Sequence, residues 1–488
     1  MKLKIKKMRL EAGRPVAFLN EKNVKKLSLH IGDRVEIKQN GSKAIATLDI
    51  GGIVNDKEVA FSKEVSTYIA INQNLPVEVN LAVEPASTAF IAKKLAGKTL
   101  SKEEIFSIIK DIVTNSLTEA EIAYFVSGVY EKGMSFQETV YLTDAIYRTG
   151  TSLSWNSKEI ADKHSIGGIA GNRTTPIVVS ICASAGIIMP KTSSRAITSA
   201  AGTADVIEVL AKVDFSAKDL KEIVKKTGAC LAWGGSLGLA PADDKLIRVE
   251  KLLKIDPESQ LIASIISKKL AAGSKYVLID IPYGPQAKVS KEEANKLKDK
   301  FLKIAKAFGL KMHVLLTVGD QPIGNGIGPV LEMIDVLKVL KRDNPPEDLE
   351  DKAIFLASKI LEMMSKAKSG KGESMARNIL ESGKALKKFE EILSAQGKTN
   401  SGLSLGKYKH ELFAKKSGKV ASIDNKWVNT IGRTIGCPED KKAGLYLHKH
   451  KGENVVKGEK IITLYAESKQ KMQEAINFYN SVHVVNII

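Results

Sequence analysis

The sequence predicts a multidomain α/β protein: a β-rich N-terminal extension, a helical domain, an α/β domain with a mostly parallel sheet, and a β-rich C-terminal domain. Three observations carry that prediction. Residues 1–84 alternate apolar and polar side chains at the period of a half-buried strand. From about residue 86 to 150 the pattern changes to amphipathic helix with capping signals. The middle then alternates strand with helix, as a parallel sheet with covering helices requires, and short strands return past residue 400. At 488 residues the chain exceeds what one core usually organises, so several domains are expected.

The elements follow in order. In MKLKIKKMRL, Lys2, Lys4 and Lys6 alternate with Leu3 and Ile5, which predicts a strand with one solvated face. Asn40-Gly41 lies between the alternating runs of VEIKQNGSKAIATLDI and predicts a hairpin. Ser101 with Glu104, and Thr118 with Glu121, form capping boxes that open two helices. The apolar window from Pro176 to Pro190 is too short to span a bilayer and reads as a buried helix. YVLIDIPYG (residues 276–284) and MHVLLTVGD (residues 312–320) flank the helical KEEANKLKDKFLKIAKAFGL, giving a strand, helix, strand unit. The Lys- and Ser-rich SKAKSGKGES (residues 365–374) predicts a loop at a helix junction, and SGKVASI, NVVKGEKIITLYA and VHVVNII predict C-terminal strands. The expected domains are residues 1–84, a helical domain 85–160 completed by about 240–272, an α/β domain 161–400 interrupted by that insertion, and residues 401–488.

Composition narrows the class of function. With 43% apolar and 26% charged residues the chain is an ordinary globular protein, and it shows no signal-peptide pattern. Cys182, Cys230 and Cys437 lack metal-ligand spacing, which fits a reducing cytoplasm. The net charge of +19 is dispersed, without an arginine-rich stripe interleaved with aromatics, so neither nucleic acid nor membrane is the expected partner. Such a field suits steering of small phosphorylated substrates, and it equally suits a plain basic surface.

Two clusters of small polar residues carry the chemistry. In DKHSIGGIAGNRTTP (residues 162–176), Lys163 offers a point charge, Ser165 a hydroxyl, and Gly167 and Gly168 a backbone that a ligand can approach closely. A following helix would turn its free N–H groups on the same anion, although the segment also reads as a tight turn before a helix. In SSRAITSAAGTADVIE (residues 193–208), Ser193, Ser194, Thr198, Ser199 and Thr203 bring five hydroxyls, with Arg195 among them and Gly202 before Thr203. This too reads two ways: a capped turn, or, with Lys163 and Arg195 supplying charge, a dianion site.

SSRAITSAAGTADVIE resembles, position for position, the signature of the thymidine and pyrimidine-nucleoside phosphorylase family. DKHSIGG resembles that family's phosphate loop, and GLAPADDKL, LIASIISKKLAAG and GDQPIGNGIGPVLE are similar to further family segments in the usual order, so the resemblance covers about residues 86 to 488. The extension of 84 residues resembles that of the archaeal AMP phosphorylases. Two departures from the pyrimidine enzymes agree with this: Val249 stands where they place an arginine for the base, with Arg248 displaced by one, and Lys288 in GPQAKV adds a cation that a 5′-phosphate would need.

The resemblance implies phosphorolysis of a nucleoside 5′-monophosphate, AMP and phosphate giving adenine and ribose 1,5-bisphosphate, with no cofactor and no metal. The alternative is a nucleoside phosphorylase that needs no 5′-phosphate. It implies phosphate contacts at Lys163, Ser165, Thr174 and Ser193, and nucleotide contacts at Gly168, Ser194, Arg195, Ala196, Ile197, Thr198, Ser199, Thr203, Ser264 and Lys288. Asp256 becomes the proton donor to N7 of the departing base, which requires its acidity to be weakened by burial or by nearby negative charge. By its residues alone Asp256 also reads as a cap of the helix that follows. Lys268 lies one turn after Ser264 on the same helical face, and His164 would either polarise the sugar or orient the loop. Homodimers, larger homo-oligomers and a hinge between helical and α/β lobes are further implications.

Other features point to structure. His448-Lys449-His450 lacks a third metal ligand, Asp243-Asp244 suits a helix N-terminus, and Trp155, Trp233 and Trp427 suit packing. NVVKGEKIITLYA is similar to biotin- and lipoyl-carrier folds but lacks an attachment lysine, which leaves a structural or oligomerising module.

Overall fold

The computed structural model describes every residue except Thr198, Asn400 and Ser401. By its internal contacts the chain divides into two units, Met1–Gly150 with Ala240–Ser264, and Thr151–Leu239 with Ile265–Ile488.

In the first unit, six short strands close into a barrel in the order Lys2–Ile5, Glu58–Phe61, Val16–Leu19, Ser42–Ile50, Arg34–Gln39, Val77–Leu81. Alternation explains the closure: Val35 and Ile37 point inward from one strand, Ala46 and Leu48 from its neighbour, Val77 and Val79 from the next. Asn40 and Gly41 both take positive φ, 50° and 76°, as a tight two-residue hairpin demands. The helices Lys102–Val113 and Glu119–Lys132 begin at the expected capping boxes, and a third box, Ser135 with Glu138, opens Phe136–Arg148. They pack with Ser87–Leu95 and Pro241–Leu253 around Ile105, Ile109, Phe125 and Leu246.

The second unit is built on parallel strands. Lys311–Val318, Tyr276–Tyr283 and Ala161–Ser165 are neighbours in that order, and Met189–Ser193 pairs in parallel with Ala229–Trp233. A bridge from Ile160 to Ile188 joins the two sets, so Ser165 and Ser193 finish strands at one edge. Ligands of open parallel sheets gather at this carboxyl edge. The buried helix over residues 176–190 is shorter than predicted: it spans Thr174–Ser184, and Pro190 lies within a strand. Pro190 ends no helix there, because a turn at Gly186, φ 77°, already redirects the chain. The C-terminal segment shares its sheet with the α/β part, since Gly444–Leu447 pairs with Gly326–Ile327. It also contributes two helices, Asn425–Thr434 and Lys469–Ser481. Among the described residues, no helix is long and apolar enough to cross a membrane.

Candidate active site

Strand alternation sends Lys163 and Ser165 to one face of the sheet and Asp162 and His164 to the other. Lys163 is 1% exposed, and its Nζ donates to the hydroxyls of Thr174 (2.8 Å) and Thr175 (3.3 Å) at the start of the helix Thr174–Ser184. Among the described residues it enters no ion pair. Burial pushes this amine down to about 7; Asp280 draws it back up, while Lys352, Lys191 and Arg173 depress it further. Asp280 is itself occupied by Lys352 at 3.2 Å and by the Thr317 hydroxyl at 2.6 Å.

The opposite face holds its own charges in balance. Burial would raise the pKa of Asp162, but Lys191 (3.3 Å) and Lys269 (2.8 Å) hold its carboxyl below the usual range. Lys269 is pushed down to about 8 by its burial, against the pull of Asp162. His164 is held well below the ordinary histidine value, first by burial and then by Lys269, Lys191, Lys163 and Lys268, so its imidazole is neutral near pH 7.

Glycine at position 168 has a steric reason. Its φ of +94° disfavours any side chain, and a Cβ there would come within 2.9 Å of Cγ of Lys288. Lys288 is therefore brought against the glycine turn. Ser165 receives a long hydrogen bond, 3.5 Å, from Asn172. Ser193 Oγ is buried with no hydrogen-bond partner among the described residues.

The hydroxyl loop is shaped by Asp205, whose Oδ2 accepts from the N–H groups of Ala196 (2.7 Å) and Gly202 (2.9 Å). At Gly202 a Cβ would lie 2.5 Å from the carbonyl carbon of Arg195, so only glycine lets the loop fold back on itself. Ser199 donates to the carbonyl of Ala201. Ile197 is partly exposed and Ser194 exposed, whereas Thr198 lies outside the described residues. Arg195 departs from the arrangement expected of it. Its guanidinium binds Glu208 through two 2.7 Å hydrogen bonds, reaches Asp205 at 3.2 Å and Asp214 at 3.5 Å, and lies 4.8 Å from the Trp233 ring centroid. Its charge is paired with these three carboxylates, unlike that of Lys163.

Arg173 was not singled out by the sequence reading, yet it ties the two loops together. It donates to Glu332 (2.7 Å), to the hydroxyl of Thr203 (2.7 Å) and to the carbonyl of Ala201 (2.8 Å). Burial raises Glu332, and Arg173 opposes that rise. Its position in GNRTTP, next to Thr174, was the available signal. Asp162, Lys191 and Lys269 offered none beyond their charge.

The first unit carries Asp256 and Ser264. Asp256 is exposed in the turn before the helix Glu258–Ala271, and Ser264 on that helix donates to buried Asp243 at 2.8 Å. Lys268 lies one turn further along the same helix. Asp243 thus does more than complement a helix dipole. Val249 is 2% exposed in the bundle core, and Arg248 donates to the carbonyl of Gly13 at 3.2 Å. His448 and His450 bond Thr463 and Asn325 respectively, and among the described residues no group of metal-ligating side chains assembles.

The comparisons with known proteins agree with these segments. Residues 88–150 match the glycosyl transferase family helical bundle domain, residues 157–386 its a/b domain, and residues 419–485 the pyrimidine nucleoside phosphorylase C-terminal domain. The AMP phosphorylase of Pyrococcus abyssi is 46% identical over 98% of this chain and 96% of its own length. The chain belongs to the AMP phosphorylase family. The AMP phosphorylases of Pyrococcus furiosus and Methanococcus aeolicus are 43% and 39% identical, covering 98% and 99% of this chain and 96% and 97% of their own. Anthranilate phosphoribosyltransferase from Thermus thermophilus, at 16% identity, superposes with a TM-score of 0.53 over 63% of this chain and 98% of its own, a likeness of fold.

Proposed function

We propose that this chain is a pentosyltransferase that splits AMP with inorganic phosphate, releasing adenine and ribose 1,5-bisphosphate. Lys163 is the observation that carries the reading: a buried amine whose partners are two hydroxyls requires an anion to be stable in its charged form. Phosphate bound there would complete its ion pair, with Ser165, Thr174 and the unpartnered hydroxyl of Ser193 as further donors.

In this reading a phosphate oxygen forms a bond to C1′ as the bond from C1′ to the base nitrogen breaks, and its electron pair leaves with adenine. Asp256 delivers the proton that keeps the departing base neutral. Asp256 is exposed, so its carboxyl is accessible to an incoming nucleotide. Gly168, the main chain and hydroxyls from Ser194 to Ser199, Thr203 and Ser264 would line the nucleotide, with Lys288 at its 5′-phosphate. Arg195 serves through its main chain while its side chain holds the loop. His164 would orient the strand end or polarise the sugar, and Lys268, one turn after Ser264, is a further candidate for the base. The nucleoside-phosphorylase alternative is not favoured: Val249 is committed to a core where those enzymes place a base-binding arginine, and Lys288 stands against the glycine turn. A cytoplasmic location, suited to three buried thiols, and assembly into homo-oligomers accompany the reading.

The test is release of adenine from AMP, with and without phosphate, set beside adenosine and uridine. Phosphate-dependent release from AMP is expected, and equal turnover of the unphosphorylated nucleosides would overturn the assignment of Lys288. Asp256→Asn should lower kcat by about 10²- to 10⁴-fold while AMP binding, followed by calorimetry, stays within a few-fold. Near-normal turnover of that variant would remove Asp256 from the proton-donor role.

A further inference from the structure

The C-terminal segment reads as a structural or oligomerising module, yet one of its helices enters the two loops just described. Asn425 opens the helix Asn425–Thr434 and is 1% exposed. Its Oδ1 accepts from the N–H of Ala170 at 3.0 Å, in the phosphate loop, and its Nδ2 donates to the carbonyl of Gln286 at 3.1 Å, two residues before Lys288. One turn later Asn429, 8% exposed, accepts from the N–H of Ala200 at 3.0 Å, in the hydroxyl loop. The amide of Asn429 in turn donates to the carbonyl of Asn425 at 3.0 Å. The spacing of four places both side chains on one helical face, so a single turn of helix holds three loops.

Packing repeats the pattern. Ala170 and Ala200, 1% and 0% exposed, belong to the apolar cluster of the C-terminal segment, with Val428, Ile431 and Leu464. Gly432 allows the approach, because a Cβ on it would lie 2.6 Å from that of Ala200. Asp424 caps the helix by accepting from the N–H of Trp427 at 3.0 Å and so fixes its first turn, where Asn425 stands.

We propose that Asn425 and Asn429 are positioning residues: through them the C-terminal helix sets the distance between the phosphate loop, the hydroxyl loop and the Lys288 loop. The proposal rests on the phosphorolysis reading for its kinetic consequence. Neither asparagine touches a reacting group; each holds a main-chain group whose neighbours do. Displacing catalytic groups by as little as 1 Å can cost about 10²-fold in rate, so bonds that set these loops, alongside those of Asp205 and Arg173, are kinetically visible. The different partners also predict different symptoms. Asn429 controls the hydroxyl loop alone, whereas Asn425 controls the phosphate loop and the Lys288 loop together.

The experiment uses the full chain with Asn425→Ala, Asn429→Ala and Asn429→Asp, the last keeping an acceptor for the N–H of Ala200. Steady-state kinetics with AMP and phosphate varied separately, thermal unfolding, and calorimetric titration with inorganic phosphate are the readouts. Asn425→Ala should raise the KM for both substrates and weaken phosphate binding, and Asn429→Ala should lower kcat/KM for AMP, each by about 10- to 100-fold. Asn429→Asp should recover most of what Asn429→Ala loses. Unchanged kinetics and phosphate affinity in folded alanine variants would overturn the proposal, as would a loss that tracks only the folded fraction. Should an alanine variant fail to fold, Gly432→Ala, which pushes on Ala200 without removing a hydrogen bond, is expected to show the AMP defect, and wild-type kinetics there would overturn the proposal equally. If the wild-type chain binds phosphate yet releases no adenine, the phosphorolysis reading fails by itself, and the asparagine variants are then judged on phosphate affinity.

Discussion

Lys163 and Arg195 stand in loops of similar composition, both rich in hydroxyls and glycine, and they end in opposite electrostatic states. Lys163 lies inside the sheet, with hydroxyls as hydrogen-bond partners and an amine depressed to about 7 by burial. Arg195 has a side chain 31% exposed and is surrounded by Glu208, Asp205 and Asp214. Its hydrogen bonds to Glu208 raise the guanidinium further and, against burial and with help from Lys441, bring Glu208 down to about 2. The difference teaches which cation is available. The buried amine of Lys163 is left without a carboxylate, whereas the guanidinium of Arg195 is matched by the carboxylates around its loop.

Replacing Lys163 should break the comparison most visibly. Lys163→Met is expected to reduce kcat/KM by about 10²- to 10³-fold, and thermal unfolding should show stability unchanged or raised, since a buried amine without an anion is a burden to the folded state. A large loss of stability would make Lys163 a structural residue like Arg195.

The second expectation concerns pH. The folded-state value of Lys163 lies below that of an unfolded lysine, so between about 7 and 10.5 the unfolded chain binds more protons and this group's contribution to stability rises with pH. Phosphate reverses the effect by favouring the charged amine. Calorimetry near pH 8 in buffers of different ionisation enthalpy should therefore show uptake approaching about one proton per phosphate beyond that of Lys163→Met. Identical uptake in the two proteins would locate the titration elsewhere.

The smallest effect belongs to Arg195. Arg195→Met should lower stability to urea by about 1–2 kcal/mol through loss of its two-pronged bond to Glu208, with the KM for phosphate changed less than about threefold. A KM for phosphate that rises as far as in Lys163→Met would show that the two cations share the anion after all.

Much of the fold is legible along the chain because the signals are local. Asn40-Gly41 sets its own turn, Ser101 and Glu104 satisfy each other's N–H groups, and alternation in residues 34–39 selects the inward face of a strand. The helix predicted over residues 176–190 was too long for the same reason in reverse. Apolar composition alone does not distinguish a buried helix from the buried strand that follows it, and Gly186 was not weighed as a stop. At the site, Lys163, Ser165 and Ser193 stand out for charge, glycine and hydroxyl content, whereas Thr174 is named only through the resemblance to the phosphorylase family. Arg195 was nameable for its charge, but its neutralisation was not.

The amino-acid order by itself determined which loops are short, polar and flexible enough to surround an oxyanion, since those properties depend on residues within a few positions. Tertiary structure decided which charges remain unmatched and what holds the loops. Arg173 meets Glu332 across 159 residues and Ala170 meets Asn425 across 255. Electrostatic pairing and loop suspension depend on distance in space, and folding brings together groups whose separation along the chain carries no trace of their contact.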